Sequence, residues 1–343
     1  MQRCIQLAQN GEGFVAPNPM VGAVIVYNNK IIGEGFHRRY TEAHAEVNAI
    51  ASVKNQSLLK KSTLYVNLEP CSHYGKTPPC SELIIKKEIP KVVIGCEDTS
   101  PKVSGRGIEI MKAAGVEVIV GVLRDDCENF NKHFFTFHQK KRPYIILKWA
   151  QSADGFLDKN RSIGTSEKPV RFSDDFTQMV VHQMRAQVSA IMVGTRTALL
   201  DNPSLNVRLW DGPNPLRVVI DKDLKIPQSF NLLDGNVPSL IYTTKNMSDK
   251  HNVTYKQIKF DKDILPQIMA DLYERKIQSL LVEGGRVLLD SFIQSDLWDE
   301  VNVETASVLL GSGVQAPCLH PCNTPKSLNR IFFLLPFSFT QMF

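Results

Sequence analysis

Hydrophobic positions in the first half of the chain follow two alternating spacings. Short β-branched runs predict strands at 21–27, 30–35, 63–68, 92–96 and 116–122, and Asn28-Asn29 predicts the turn of a hairpin. Helical spacing predicts helices at 1–10, 44–53 and 107–114, with another that starts at Pro79-Cys80. Strands that alternate with helices indicate a layered α/β sheet.

A second α/β pattern follows the polar segment Lys140-Lys141-Arg142-Pro143. It predicts strands at 144–150, 190–194, 217–221, 239–243 and 279–283, and helices at 177–186, 264–275 and 287–293. We therefore predict two domains, residues 1–141 and 142–343, with an atypical and partly disordered tail after about residue 313. In that tail, Cys318-x-His320-x-Cys322 resembles a metal clip but has no fourth ligand nearby.

Composition narrows the class of protein without settling the function. A chain of 343 residues with 43% hydrophobic and 22% charged residues is ordinary for a soluble globular protein. The net charge of +5 suits anionic small molecules as well as nucleic acid. Seven cysteines, with no leader ahead of Met1, favour a reducing cytoplasm over a disulfide framework. The terminal apolar run 331–339 contains Pro336 and is too short to span a membrane.

The most informative chemistry lies in His44-Ala45-Glu46 together with Cys71 and Cys80. One histidine and two cysteines hold a tetrahedral Zn²⁺ with one position open for water, and the glutamate is free to carry protons. This set is the signature of zinc-dependent base deaminases. A structural zinc site, with His73 as the fourth ligand, is the alternative, but it leaves Glu46 without a role.

Longer motifs around these residues resemble the bifunctional riboflavin-biosynthesis deaminase–reductase family. They are 17–24 (PNPMVGAV), 33–37 (GEGFH), 44–49 (HAEVNA) and 69–80 (EPCSHYGKTPPC). The resemblance implies a cytidine-deaminase-like three-layer fold for the first domain. It also implies the substrate 2,5-diamino-6-(5-phosphoribosylamino)pyrimidin-4(3H)-one, with zinc ligands His44, Cys71 and Cys80 and with Glu46 as the catalytic residue. Substrate contacts would come from Asn18, His37, His73, Lys76 and Asp98.

In the second half, a buried strand ends in Val282-Glu283-Gly284-Gly285, where glycines allow main-chain N–H groups to approach a phosphate. No strand is followed by Gly-x-Gly-x-x-Gly, so a Rossmann dinucleotide site is not supported. Segments including Val193-Gly194-x-x-Thr197 and 201–208 (DNPSLNVR) resemble the reductase domain of the same family. That resemblance implies a dihydrofolate-reductase-like fold and NADPH as the cofactor.

The same resemblance assigns roles to residues of the second domain. Lys148 would donate a proton while the ribosyl side chain of 5-amino-6-(5-phosphoribosylamino)uracil is reduced to ribityl. The substrate would be bound by Arg185, Leu205, Arg208 and Glu283, with the arginines on its phosphate. NADPH would be bound by Gln151, Arg171, Thr197, Asp201 and Gly285. The sequence does not decide between NADPH and NADH; apart from the resemblance, a basic residue such as Lys245 is a candidate for contacting the 2′-phosphate.

Two departures from the family pattern keep alternatives open. Arg171 stands where the family usually has an aromatic residue, and the tail matches poorly, so a deaminase with an inactive reductase domain is one alternative. The other is a tRNA-type base deaminase with an RNA-binding second half, which would need a basic face with exposed aromatics. We expect a small-molecule enzyme that binds neither nucleic acid nor membrane and forms a homo-oligomer.

Overall fold

The computed structural model describes residues 1–74, 78–99 and 105–319. The chain divides into two compact units, Met1–Arg142 and a second that begins at Pro143. Each unit is built around its own sheet, and each is described separately below.

The first unit contains a five-stranded mixed sheet with strand order β2-β1-β3-β4-β5. Strands β1 and β2 form an antiparallel hairpin, β1 also runs antiparallel to β3, and β3, β4 and β5 are parallel. In chain order the elements are α1 (Gln2–Gln9), β1 (Gly22–Tyr27), β2 (Lys30–Phe36), α2 (Ala45–Ser52), β3 (Thr63–Leu68), α3 (Cys80–Lys86), β4 (Lys91–Cys96), α4 (Arg106–Ala113), β5 (Glu117–Val120), α5 (Arg124–Phe130) and α6 (Lys132–Lys140).

Helices cover both faces of this sheet. A Cβ on Gly22 would lie 2.1 Å from the carbonyl oxygen of Cys4 in α1, and a Cβ on Gly35 would lie 2.3 Å from the main-chain nitrogen of Ala49 in α2. Gly35 pairs with Ala23, so these glycines point to opposite faces. One apolar core involves α2, α3 and α4, and a smaller core involves α1, α5 and α6. The unit therefore has three layers, as predicted.

The second unit is organised around a seven-stranded sheet, order β11-β10-β9-β8-β12-β6-β13, in which every adjacent pair is parallel. A two-stranded antiparallel sheet joins β7 to β14. The elements are β6 (Tyr144–Gln151), β7 (Phe156–Asp158), α7 (Asp175–Ala186), β8 (Ala190–Gly194), α8 (Thr195–Asp201), β9 (Leu216–Ile220), β10 (Ser239–Thr243), β11 (Val253–Gln257), α9 (Ile264–Glu274), β12 (Ser279–Val282), α10 (Arg286–Gln294), β13 (Glu300–Thr305) and β14 (Val314–Gln315).

Alternate residues of β6 separate two apolar cores in this unit. Ile145, Leu147 and Trp149 pack with residues of α9 and α10, whereas Tyr144 and Ile146 pack in a core on the opposite face. Parallel strands buried on both faces require this arrangement, and it explains the continuous apolar runs in the sequence. The carboxyl ends of the parallel strands lie along one edge of the sheet, where open α/β sheets bind ligands.

The predicted strands and main helices are confirmed, but five elements of the second unit were missed. Edge strands β11 and β13 mix apolar and polar residues, and β7, β14 and α8 are very short. The expectation that the tail after about residue 313 is atypical stays a prediction. In its described part, Val314 pairs with Asp158 and Leu319 packs against the core. His320 and Cys322 of the possible metal clip lie outside the described residues.

Within the described ranges, the helices are too short or too polar to cross a membrane.

Candidate active sites

Three side chains of the first unit converge on one point. His44 is the residue before α2, Cys80 is the first residue of α3, and Cys71 lies in the loop that follows β3. The Nδ1 atom of His44 is 3.5 Å from the Sγ atom of Cys71 and 3.5 Å from the Sγ atom of Cys80. All three potential ligand atoms lie within 4.8 Å of one another.

These distances fit a tetrahedral zinc ion. Zinc lies about 2.05 Å from nitrogen and about 2.3 Å from sulfur, which places nitrogen and sulfur about 3.6 Å apart at the tetrahedral angle. The main-chain N–H of Cys80 donates to the Cys71 sulfur at 3.3 Å. Hydrogen bonding from Cys80, together with His44, lowers the pKa of Cys71 and favours the thiolate that zinc requires. The donor set and its geometry therefore both suit Zn²⁺.

Glu46 lies in the first turn of α2 and is only 3% exposed. Burial raises its pKa to about 7, and the nearby Cys71 charge contributes to the shift. A carboxyl group with this pKa is able to accept and return a proton near neutral pH. The alternative of a structural site is not supported, because His73 is exposed and is absent from the ligand cluster.

Two of the predicted substrate-binding residues contact each other beside the zinc ligands. The Nδ1 atom of His37 lies 3.1 Å from the carbonyl oxygen of Ala43, which assigns its proton to Nδ1. The Nδ2 group of Asn18 then donates to Nε2 of His37 at 3.1 Å. Burial lowers the pKa of His37, so the neutral ring is favoured. The ring of His37 lies 5.3 Å from that of His44, centroid to centroid.

Glu69 is a residue of this site that sequence reasoning missed. Its buried carboxylate accepts main-chain N–H groups from Asp98 at 3.2 Å, Gly105 at 3.0 Å, Gly107 at 3.0 Å and Ile108 at 3.4 Å. It therefore fixes both ends of the segment that carries Asp98. The matching Glu69-Pro70-Cys71 motif was the available signal. Lys76, a predicted substrate contact, lies outside the described residues.

The second unit has a cavity of about 700 Å³ at the carboxyl ends of its parallel strands. Of the predicted residues, five line it: Lys148, Thr197, Asp201, Glu283 and Gly285. A Cβ on Gly285 would lie 2.8 Å from the Oγ1 atom of Thr197, so glycine is needed for this close approach. Gly284 has φ of +119°, a conformation that also favours glycine.

The predicted substrate residues form a charged cluster. Arg185 donates to Glu283 through Nε at 2.9 Å and Nη2 at 2.7 Å, and to the carbonyl oxygen of Asn206 at 3.3 Å. Burial alone would raise the pKa of Glu283, but Arg185 outweighs it and the pKa is lowered. Arg208 is exposed and donates to Oδ1 of Asn206 at 3.1 Å. His182, which was not predicted, accepts the main-chain N–H of Arg208 at 3.1 Å.

Three further residues differ from what their predicted roles suggest. The side chain of Leu205 is 3% exposed and packs in an apolar core, so only its main chain is positioned to contact substrate. Gln151 accepts a hydrogen bond from Trp149 at 2.8 Å and does not line the cavity. Arg171 is exposed, pairs with Asp175 and also does not line it. These three roles were assigned because the residues match positions of the family pattern. Such a match does not show in which direction a side chain points.

Arg161 was missed and has the densest set of ion pairs at the cavity. Its guanidinium is 2.6 Å from Asp158 and 2.5 Å from Asp201, and its side chain is only 3% exposed. It lies between the small β7–β14 sheet and α8, and its carboxylate partners come from both sides. No motif distinguished it, because Asp201, its second partner, is 40 residues away in the sequence.

Comparison with known proteins gives the family. Residues 1–96 match the cytidine and deoxycytidylate deaminase zinc-binding region, and residues 143–327 match the RibD C-terminal domain. The second match continues beyond residue 312, where the resemblance had been expected to end. The chain thus joins a zinc-dependent deaminase domain to a reductase domain.

Whole-chain relatives share this arrangement. Riboflavin biosynthesis protein RibD of Bacillus amyloliquefaciens is 41% identical over 93% of this chain and 86% of its own length. The Escherichia coli RibD protein is 33% identical over 94% of this chain and 90% of its own length. The chain belongs to the RibD family of riboflavin biosynthesis proteins, which are bifunctional deaminases and reductases.

Solved structures agree with this assignment. A diaminohydroxyphosphoribosylaminopyrimidine deaminase/5-amino-6-(5-phosphoribosylamino)uracil reductase from Thermotoga maritima is 38% identical, with a TM-score of 0.83. The match covers 92% of this chain and 88% of that one. Acinetobacter baumannii RibD is 32% identical, with a TM-score of 0.81 and the same coverage. The predicted α/β fold of both domains is confirmed.

Proposed function

We propose that this chain catalyses the two steps named for its Thermotoga maritima relative. The first is deamination of the diaminopyrimidine ribotide, and the second is reduction of the ribosyl side chain of the resulting uracil to ribityl. The observation that carries the proposal is the convergence of His44, Cys71 and Cys80 on one point, with Glu46 buried in the adjoining helix turn.

In the deaminase site, His44, Cys71 and Cys80 would hold zinc. Bound zinc supplies a Lewis acid that makes water nucleophilic near neutral pH. Glu46 takes the proton from the attacking water and returns it to the departing amino group, so that ammonia leaves with the proton balance closed. Asn18 and His37 would contact the pyrimidine. Asp98, held by Glu69, and the exposed His73 would contact the rest of the substrate, together with Lys76.

In the reductase unit, we assign NADPH to the cavity. Its volume of about 700 Å³ and the close approach of Gly285 to Thr197 suit an extended dinucleotide. NADPH supplies the hydride. Lys148, whose ammonium is 3.9 Å from the Glu304 carboxylate, would provide the accompanying proton to the ribosyl group. Thr197 and Asp201 would bind the dinucleotide beside Gly285.

The charged cluster next to the cavity suits the substrate phosphate. Arg208 has no carboxylate within ion-pair distance in the described part of the chain. Arg185 uses three of its five N–H groups on Glu283 and Asn206, which leaves two for a phosphate. Glu283, held by Arg185, would contact the pyrimidine. Leu205 would contribute its main chain, while roles for Gln151 and Arg171 stay predictions.

The substrate is a small molecule. We propose that nucleic acid is not a substrate, that the chain works in the cytoplasm and that it forms a homo-oligomer. The cytoplasmic location is supported by the free thiols, which include two of the proposed zinc ligands. Light scattering on the purified chain would measure the oligomeric state.

The decisive experiment follows ammonia release and NADPH absorbance together, with the diaminopyrimidine ribotide as the substrate. Ammonia followed by NADPH oxidation is expected, and Glu46→Gln should abolish both while the zinc content stays the same. Ammonia without NADPH oxidation would indicate an inactive reductase unit. If the zinc-loaded protein releases no ammonia, the substrate assignment fails, and a tRNA-type RNA would be tried next.

A further inference from the structure

The cavity of the second unit has an excess of positive charge. Five basic side chains line it, against the acidic side chains of Asp158, Asp201 and Glu283. The basic residues are Lys148, Lys159, Arg161, Arg196 and Arg286. This balance favours a ligand with several negative charges.

Most of these cations are already neutralised. Arg161 pairs with Asp158 and Asp201, Arg286 pairs with Asp290, and Lys148 lies 3.9 Å from Glu304. Arg196 and Lys159 are exposed and have no ion pair among the described residues. A bound anion could therefore pair with Arg196 or Lys159 without breaking an existing ion pair.

Arg196 is the better positioned of the two. Its Nη2 atom donates to the carbonyl oxygen of Arg161 at 2.8 Å, which anchors the guanidinium and leaves its other N–H groups available. It precedes Thr197, whose hydroxyl lies against the Gly285 turn proposed to hold the dinucleotide phosphates. In the part of the chain that the structure describes, the side chain of Lys159 has no hydrogen bond of this kind, and it is more flexible.

The position of Arg196 relative to Lys148 also matters. Lys148 lies on β6, and Arg196 is the second residue of α8, which follows β8; β12 lies between the two strands. Two strand spacings separate β6 and β8 by about 10 Å across the sheet. An extended dinucleotide with its reactive ring near Lys148 is long enough to place its other nucleotide beside α8 and Arg196.

We propose that Arg196 binds the 2′-phosphate of the adenosine half of NADPH and selects NADPH over NADH. The inference rests on the proposed assignment of the cavity to the dinucleotide. A guanidinium with several free N–H groups suits a phosphate monoester dianion, and NADH has only a hydroxyl at this position. Lys245, suggested by the sequence alone, is exposed and does not line the cavity.

The test is equilibrium binding to the full chain, which needs neither turnover nor the ribotide substrate. Isothermal titration calorimetry would compare 2′,5′-ADP with 5′-AMP, which lacks only the 2′-phosphate. We expect Arg196→Gln to weaken 2′,5′-ADP by about 10- to 100-fold and to change 5′-AMP by less than about 3-fold. Arg196→Lys should keep part of the preference, because it keeps the charge. Lys245→Gln, a loss of one exposed charge away from the cavity, should have no effect.

A second measurement uses the ionisation of the ligand. The second pKa of a phosphate monoester is about 6, so the preference for 2′,5′-ADP should decrease below that pH in the unmodified protein. It should be nearly independent of pH in Arg196→Gln. A shared thermal unfolding midpoint would show that the variants are folded.

The possible outcomes distinguish failure of the role of Arg196 from failure of the assignment of the cavity to a dinucleotide. If the unmodified protein prefers 2′,5′-ADP and Arg196→Gln keeps that preference, Arg196 is not the selecting residue, although the cavity assignment survives. Loss of the preference in Lys159→Gln alone would transfer the role to Lys159. If neither nucleotide binds, the dinucleotide assignment of the cavity fails, and the inference fails with it.

Discussion

The two active sites of this chain are built in different ways. In the deaminase unit, the three proposed zinc ligands and Glu46 come from two short motifs and are brought together by two helix starts and one loop. In the reductase unit, the proposed residues are spread over strand ends and loops, and several are paired with each other. The deaminase site therefore depends on every one of its four residues. In the reductase site, the binding energy is shared among many residues.

The largest expected effect is at Glu46. Glu46→Gln keeps the shape of the side chain but removes the proton acceptor, so deamination should decrease by about 10²- to 10⁴-fold. Ammonia release measures the loss, and atomic absorption should find an unchanged zinc content. A variant that keeps more than a tenth of the activity would mean that another group carries the proton. Glu42→Gln, an exposed glutamate nearby, is the matched control.

The next effect is on stability, at the buried pair Arg185–Glu283. Arg185→Met leaves Glu283 charged and unpaired in a site where it is 11% exposed, which should cost about 3–5 kcal/mol of unfolding free energy. All three tryptophans, Trp149, Trp210 and Trp298, lie in the second unit, so their fluorescence in urea reports on that unit.

Arg171→Met is the control for that measurement. Arg171 and Asp175 are both exposed, so the loss of their pair should change the unfolding free energy by less than about 0.5 kcal/mol. A similar loss of unfolding free energy in Arg185→Met and Arg171→Met would show that burial does not determine how strongly the Arg185–Glu283 pair stabilises the unit.

Glu69 tests whether the deaminase site also depends on a residue that touches no reacting atom. Glu69→Gln replaces a carboxylate that accepts four N–H groups with an amide that has one oxygen. We expect the KM of deamination to rise about 10-fold with a smaller change in kcat, because each bond to a charged acceptor contributes about 1.5–3 kcal/mol. Glu97→Gln is the exposed control. An unchanged KM would assign Glu69 to folding alone.

The last expected effect is a pH dependence of stability at His182. Burial, then Arg185 and Arg208, lower its folded-state pKa to about 4, below the unfolded value of about 6.5. The unfolded state therefore takes up the proton first, and stability is lost as the pH falls from about 6.5 to 4. We expect His182→Asn to remove about 1–3 kcal/mol of this dependence, measured as the difference between two urea series. If the unfolding free energy depends on pH in the same way in the unmodified protein and in His182→Asn, His182 is not the group responsible.

Sequence predicted the deaminase site more completely than the reductase site. His44, Glu46 and Cys80 lie where helices begin, and Cys71 lies in the loop that follows β3. Residue spacing alone indicates that placement. The pairing of Arg185 with Glu283, the burial of Leu205 and the anchoring role of Glu69 depend on tertiary contacts between distant residues. Edge strand β13 was missed because the strand predictions relied on continuous apolar runs, whereas in β13 Glu300, Asn302 and Glu304 alternate with valines.

The hydrogen bond from the Cys80 main chain to the Cys71 sulfur has a consequence for both proposed sulfur ligands. The N–H group that donates belongs to the first residue of α3, so the start of one helix carries one thiol and stabilises the thiolate of the other. A substitution that shifts this helix start would therefore disturb both sulfurs at once, even though the altered residue is not itself a ligand.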